Sequence, residues 1–229
     1  MKEIFENYGI KIAENELNRL ETFKNLLLEY NEKYNLTAIK EEKEIYIKHF
    51  LDSILPEKLF FEGDEVVEIG SGGGFPSVPL KILRNDLKFT LIESTGKKCD
   101  FLKIAGQNLG FENFEVLNLR AEDGGRNVKL REKFNICTAR AVAKLNTLCE
   151  YCLPFVKVGG LFIAYKGDCA EELEESKKAI EILGGKIEKV KTYELPENFG
   201  KRTVISIKKV SATPSKYPRG NGKERKNPL

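Results

Sequence analysis

Near residue 65 the spacing of apolar residues along the chain changes from helical to strand-like. Before that point, Leu17, Leu20, Phe23, Leu27, Tyr30 and Tyr34 recur at intervals of three and four, which places one apolar stripe along a helix. Asn35-Leu36-Thr37 interrupts the pattern. A second helix follows, with Ile45, Tyr46, His49, Phe50 and Ile54 on one side and Pro56 near its end. From Glu65 onward, short β-rich runs alternate with helical patterns. The runs at Val66–Ile69, Phe89–Ile92, Phe114–Leu119, Phe134–Thr138 and Leu161–Ala164 predict strands, and Val78–Leu83, Lys97–Leu109 and Lys144–Val156 predict helices between them. This alternation belongs to a parallel sheet covered by helices on both faces, with right-handed connections.

The end of the chain departs from that rhythm. Lys186–Tyr193 and Thr203–Lys209 read as strands, but only Glu194 to Gly200 joins them. A parallel crossover needs a dozen or more residues, so these two strands must pair antiparallel or lie apart. The expected fold is therefore α/β and Rossmann-like, a seven-stranded, mostly parallel sheet with a C-terminal antiparallel hairpin and an N-terminal helical extension. Class I methyltransferases end in this way, whereas NAD-binding Rossmann domains usually lack the hairpin. The expected organisation is a helical region over 1–62, a sheet domain over 63–210 and a basic tail over 211–229. Ser211–Leu229 is rich in Pro, Gly and Lys and reads as an extended tail.

Composition narrows the setting. The 229 residues suffice for one large domain, and no apolar run reaches the roughly 18 residues of a membrane helix. Met1-Lys2-Glu3 opens a charged segment unlike a signal peptide. A cytoplasmic location without a membrane partner is expected. Of the five cysteines only Cys149 and Cys152 are close in sequence. A zinc site would need two more ligands, and the single histidine, His49, is remote in sequence; the pair also lies late in an apolar helical pattern. Buried, reduced thiols and no metal are the expectation. Net charge is +3 overall, but from Lys208 to the end seven basic residues meet one acidic residue, a local +6 that leaves −3 on the remainder. A basic tail suits either a polyanionic partner or simple solvation.

Candidate chemistry follows from the strand ends, because open α/β sheets bind ligands beyond the carboxyl ends of their strands. The first strand runs into Glu68-Ile69-Gly70-Ser71-Gly72-Gly73-Gly74-Phe75-Pro76. Gly70, Gly72 and Gly74 allow positive φ and a close approach of backbone to ligand. Glu68, just before the turn, is placed to accept from a ligand's amine, which suits a nucleoside with an amino-acid tail such as S-adenosylmethionine better than a pyrophosphate. The second strand ends at Glu93, an acid suited to two ribose hydroxyls. The third leads to Ala121-Glu122, a small residue and an acid suited to an adenine face and its exocyclic amine. The fourth ends in Thr138-Ala139-Arg140-Ala141, where an arginine between small residues can hold a phosphate, stack on a base or position a carboxylate. Lys166 closes the fifth, either facing an RNA acceptor or simply solvated. His49, Asp52 and Ser53 crowd one helix in an order that cannot form a catalytic triad, so His49 is expected to link the helices to the sheet.

Missing signatures bear on the acceptor. The chain has no Pro-Pro dipeptide and no cysteine after a proline, so the usual devices for methylating an exocyclic amine or cytosine C5 are absent. Guanine N7 carries its own lone pair and loses no proton, so it would need neither.

Taken together, these motifs resemble the glucose-inhibited division protein B family of bacterial 16S ribosomal RNA guanine-N7 methyltransferases. Tyr34-Asn35-Leu36-Thr37-Ala38-Ile39, His49-Phe50-Leu51-Asp52-Ser53, Gly70 to Pro76, Glu93-Ser94 with Lys97-Lys98, Ala121-Glu122, Thr138 to Ala143, Lys166-Gly167, Tyr217-Pro218-Arg219 and Lys226 to Leu229 are similar to its signatures, in order. Gly73 stands where the family often has Ala, Ser77 where it often has Gly, and Ala139 where Ser is common. The resemblance implies S-adenosylmethionine as cofactor, held by Gly70, Phe75, Ala121, Glu122 and Arg140, with Glu93 added by the ribose rule. Arg140 and Lys166 would place the acceptor, with no acid or base catalyst. It also implies 16S ribosomal RNA or a small-subunit precursor as partner, and no obligate protein partner is evident. The alternatives are an RNA-binding assembly factor without enzymatic activity and an NAD-dependent oxidoreductase.

Overall fold

The computed structural model describes residues 1–229. One seven-stranded sheet runs through it in the order β3-β2-β1-β4-β5-β7-β6. β1 (Glu65–Ile69), β2 (Lys88–Glu93), β3 (Phe114–Asn118), β4 (Phe134–Arg140) and β5 (Val156–Lys166) are parallel to one another, and β7 (Lys201–Lys209) pairs antiparallel with β5 and with β6 (Gly185–Glu194). The predicted sheet and closing hairpin are both present. All the parallel strands end at one edge, and the strand order reverses between β1 and β4, where such sheets bind ligands.

Three differences from the sequence expectation have local causes. β5 begins at Val156, because Leu153–Phe155 is a 3-10 turn carrying Pro154 and the helix before it stops at Cys152. A short helix, Ala121–Arg126, contains the glycine pair Gly124-Gly125, which lowers helix propensity. The pair is needed for packing, since a Cβ at Gly124 would lie 2.9 Å from Phe155 Cζ. The Ala170–Ile182 helix buries only Ser176, Ala179 and Ile180, too thin a stripe to stand out in a charged segment.

Each face of the sheet carries its own apolar core. The N-terminal helices cover one. The Glu14–Tyr34 helix begins with Glu16 reaching back to the Ala13 N–H and ends at Asn35 in the left-handed conformation. Its Leu20, Phe23 and Leu27 are fully buried, and Phe23 packs at 5.8 Å from Phe50, 5.5 Å from Phe75 and 6.3 Å from Phe101. The second N-terminal helix runs from Glu42 to Ile54 and contains a π-helical stretch, Ile45–Leu51; such widened turns often occur at functional sites. On the opposite face the Leu145–Cys152 helix packs with Phe155, Phe162 and Ile205. All five cysteines are buried free thiols. No helix is long and apolar enough to cross a membrane.

The C-terminal segment is not the extended tail expected from its composition. It lies over this second face, held by polar anchors. Arg131 donates to the carbonyls of Gly125, Tyr217 and Thr213, and Arg126 to those of Pro218 and Arg219. Arg219 makes a two-pronged ion pair with the fully buried Glu150. Thr147 donates to the Glu224 carbonyl at 2.9 Å, and the Lys209 ammonium is buried between Glu132 and two backbone carbonyls. Two of the seven basic residues, Lys209 and Arg219, are thus committed to structure.

Candidate cofactor and acceptor site

A continuous trough follows the carboxyl edge of the sheet. One end is a cavity of about 330 Å³ lined by Ile92, Leu119, Ala121, Glu122, Tyr151 and Arg225. The middle, about 410 Å³, lies along Gly70–Gly73, Phe75, Glu93, Ser94 and Arg140. The far end, about 340 Å³, is bordered by Lys48, His49, Asp52, Arg140, Lys166 and Arg202. Gly70 and Val142 line both the first and the middle section, and His49 and Arg140 both the middle and the last. Each volume falls in the range of small-molecule sites.

The glycine loop divides its labour. Gly70 has φ +70° and donates to the Ile92 carbonyl at 2.8 Å; a Cβ there would sit 2.7 Å from Val142. Gly72, at φ +54°, has only the Gly70 oxygen, 3.8 Å away, near its absent Cβ, so any side chain would fill the trough. Gly74 serves packing instead: its Cβ would lie 2.7 Å from Val78 and 3.4 Å from Phe23, away from the cavity. Glu68 also departs from expectation. It is wholly buried beneath the loop, where one oxygen accepts from the Ser77 N–H at 3.0 Å, so it reaches no ligand amine. Burial raises its pKa well above the ordinary carboxylate value, against the Ser77 N–H and the Arg140 charge, which lower it.

Glu93 stands at the end of β2. Its two oxygens accept from Gly72 N at 3.0 Å and Thr95 N at 2.8 Å. A carboxylate has about four acceptor positions, so capacity remains toward the trough. Ala121 and Glu122 start their short helix at the first cavity.

Arg140 sits at the junction of sheet and helices. Its guanidinium donates to Asp52 Oδ2 at 2.9 Å and the Lys48 carbonyl at 3.1 Å, and meets His49 Nδ1 at 3.0 Å. It lies 4.9 Å from the centre of the Phe75 ring, on which His49 stacks at 4.2 Å. Because an arginine only donates, His49 Nδ1 must be the acceptor; its proton is then on Nε2, which faces Thr37 Oγ1 at 2.7 Å. Burial, reinforced by Arg140, lowers the His49 pKa to about 3. His49 is therefore a neutral brace that fixes Arg140. Tyr165 donates to the Ser53 carbonyl at 3.0 Å and ties the same helix to β5. Lys166 is less free than its position at a strand end suggested: it donates to the Ala143 carbonyl at 3.0 Å and pairs with Glu172 at 2.7 Å.

The trough thus gathers Gly70, Gly72, Phe75, Glu93, Ala121, Glu122, Arg140 and Lys166, and leaves out Gly74. The sequence reading missed Asp52, Thr37, Tyr151 and Arg225. Asp52 and Thr37 fell inside the quoted motifs, but their roles depend on partners 88 and 12 residues away. For Tyr151 and Arg225 the sequence carried no signal.

Comparison with known proteins shows the family and the fold. The family model for rRNA small subunit methyltransferase G matches residues 16–203. The ribosomal RNA small subunit methyltransferase G of Brevibacillus brevis is 48% identical over 231 residues, covering 99% of this chain and 97% of its own. That of Lactobacillus helveticus is 50% identical over 208 residues, with 89% and 87% covered. Among solved structures, a SAM dependent methyltransferase from Aquifex aeolicus shares the fold with a TM-score of 0.56 at 16% identity, over 76% of this chain and 96% of its own. The chain belongs to the rRNA small subunit methyltransferase G family.

Proposed function

We propose that this protein transfers a methyl group from S-adenosylmethionine to N7 of one guanine in 16S ribosomal RNA. The trough carries this reading. Its three sections share lining residues, so the cavity at Ala121 and Glu122, the carboxylate of Glu93 and the glycine loop adjoin the braced Arg140, an arrangement that suits a nucleoside with an amino-acid tail. Gly72 supports the fit, since a side chain there would occupy the cofactor's place.

The bound cofactor supplies an electrophilic methyl on a sulfonium centre. Ala121, Glu122 and the apolar walls would take the adenine, Glu93 the ribose hydroxyls, and the backbone of Gly70–Gly72 the amino-acid tail. Arg140, held by Asp52 and His49 over Phe75, would present the guanine at the far section, with Lys166 on its other border. The N7 lone pair would take the methyl carbon as the carbon–sulfur electron pair returned to sulfur, with S-adenosylhomocysteine as the leaving group. No proton leaves N7, so the residues need only position and desolvate the base. A neutral His49 and an Arg140 paired with Asp52 suit this task, because neither is poised to remove a proton.

Calorimetry should show S-adenosylhomocysteine binding and NAD binding weakly or not at all; tighter NAD binding would overturn the cofactor assignment. Arg140→Ala should lower methyl transfer by about a hundredfold, the scale of losing placement of one reactant, with cofactor affinity reduced much less. Full activity in that variant would remove Arg140 from the site.

A further inference from the structure

The cavity at the Ala121–Glu122 end is not built by the sheet domain alone. Gly222 and Arg225, from the C-terminal segment, form part of its wall together with Leu119 and Tyr151. The segment is held firmly where it reaches the cavity. Glu224, adjacent to Arg225, is fully buried; its carbonyl accepts from Thr147, and its carboxylate from the Gly220 N–H. Three residues before Gly222, Arg219 is locked on Glu150. Arg225 itself is exposed and lines the cavity. It is near enough to the Tyr151 hydroxyl to offset part of the rise in pKa that burial causes there. Gly222, at φ +73°, leaves open space where a side chain would stand.

The geometry points to Arg225 as a positioning residue that closes the nucleoside end of the cofactor site, with its guanidinium laid against the adenine held by Ala121 and Glu122. This rests on the cofactor reading given above. The chemistry suits the place. A planar guanidinium stacks on an aromatic face, and Glu122, in the same cavity lining, is an acceptor for the exocyclic amine. Arg140 and Arg225 would then bracket the trough, one at each end. The C-terminal segment becomes part of the cofactor site, where composition suggested only an arm for RNA.

The test uses the full chain and two ligands, S-adenosylhomocysteine and methylthioadenosine, which share the nucleoside and differ in the amino-acid tail. Arg225→Ala should weaken both by a similar factor, about tenfold, the upper range of a partly desolvated cation–aromatic contact. Its melting temperature should be unchanged, because the anchors at Arg219, Thr147 and Glu224 are untouched. Arg225→Lys, which keeps the charge but loses the plane, should recover only part of the affinity. Unchanged affinity for both ligands would overturn the inference, even where RNA binding falls. A loss confined to S-adenosylhomocysteine would also overturn it, because the nucleoside end would then be unaffected. If the unmodified protein binds neither ligand, the cofactor reading fails first and this inference with it.

Discussion

The N-terminal helices and the C-terminal segment cover opposite faces of one sheet, and each reaches its carboxyl edge to complete an end of the same trough. They are held in contrasting ways. The helices dock through apolar burial, with Leu20, Phe23, Leu27 and Phe50 wholly inside. The C-terminal segment docks through arginines that grasp backbone carbonyls and through one buried carboxylate. An apolar dock is non-directional and tolerates adjustment. A polar dock depends on every partner being present, since an orphaned buried charge costs more than the pair contributes.

The largest effect should come from the apolar side. Phe23→Ala removes a ring that meets Phe50, Phe75 and Phe101, and should cost about 3–5 kcal/mol in chemical denaturation. Because Phe75 supports the glycine loop and Arg140, cofactor affinity should fall with it; a loss of stability without one in affinity would separate helices from site. Next is the polar side. Arg219→Ala leaves the fully buried Glu150 without its ion pair and should cost about 2–3 kcal/mol, less than a fully enclosed pair because the arginine is about one-fifth exposed. Arg219→Ala together with Glu150→Leu should recover most of that loss. If the single variant is neutral, the segment is held by something other than this pair.

Acidity probes the N-terminal side and the sheet edge it covers. Unfolded, His49 gains a proton as pH falls through about 6.5; folded, it stays neutral down to about 3. Between those values the unfolded chain binds the extra proton, so the His49 contribution is present above pH 6.5 and lost as pH falls. At pH 5 this amounts to about 2 kcal/mol at most. Glu68 acts in the opposite direction, since burial keeps its proton on in the folded state at pH values where the unfolded chain has lost it. Comparing the pH dependence of stability with that of His49→Gln isolates the histidine; identical slopes would mean that His49 is not held neutral. The smallest effect concerns the exposed lysines Lys216, Lys223 and Lys226. Replacing all three with Ser should reduce the slope of log affinity against log salt for RNA by about 0.7 for each phosphate no longer neutralised. An unchanged slope would make the charge of this segment a matter of solvation alone.

The same contrast explains what could be read from the sequence. Apolar spacing exposed the N-terminal helices, the five parallel strands and the closing hairpin, because burial imprints a period on the chain. The glycine loop, Glu93, Ala121-Glu122 and Arg140 were visible because each sits at the end of a recognisable strand. The docking of the C-terminal segment had no such imprint. Hydrogen bonds from Arg126 and Arg131 to distant carbonyls leave no mark on the residues that accept them, and Pro, Gly and Lys look alike in a docked strap and a free tail. Burial of Glu68 was hidden for a related reason. A carboxylate before a glycine turn reads as a ligand, and only the packing above it reveals that the loop itself uses it. The Arg140–His49–Asp52 brace joins residues about 90 apart, so no local pattern announces it.

The most direct test of the central claim is to incubate the protein with unmodified small-subunit ribosomal RNA and methyl-labelled S-adenosylmethionine, digest the RNA to nucleosides, and map the label. Label should appear in 7-methylguanosine at a single position and form about a hundredfold more slowly in Arg140→Ala. Label on any other atom or base would contradict the acceptor assignment. If the protein binds RNA but transfers no label, to naked RNA or to small-subunit particles, it would be an assembly factor that has kept the fold without the chemistry.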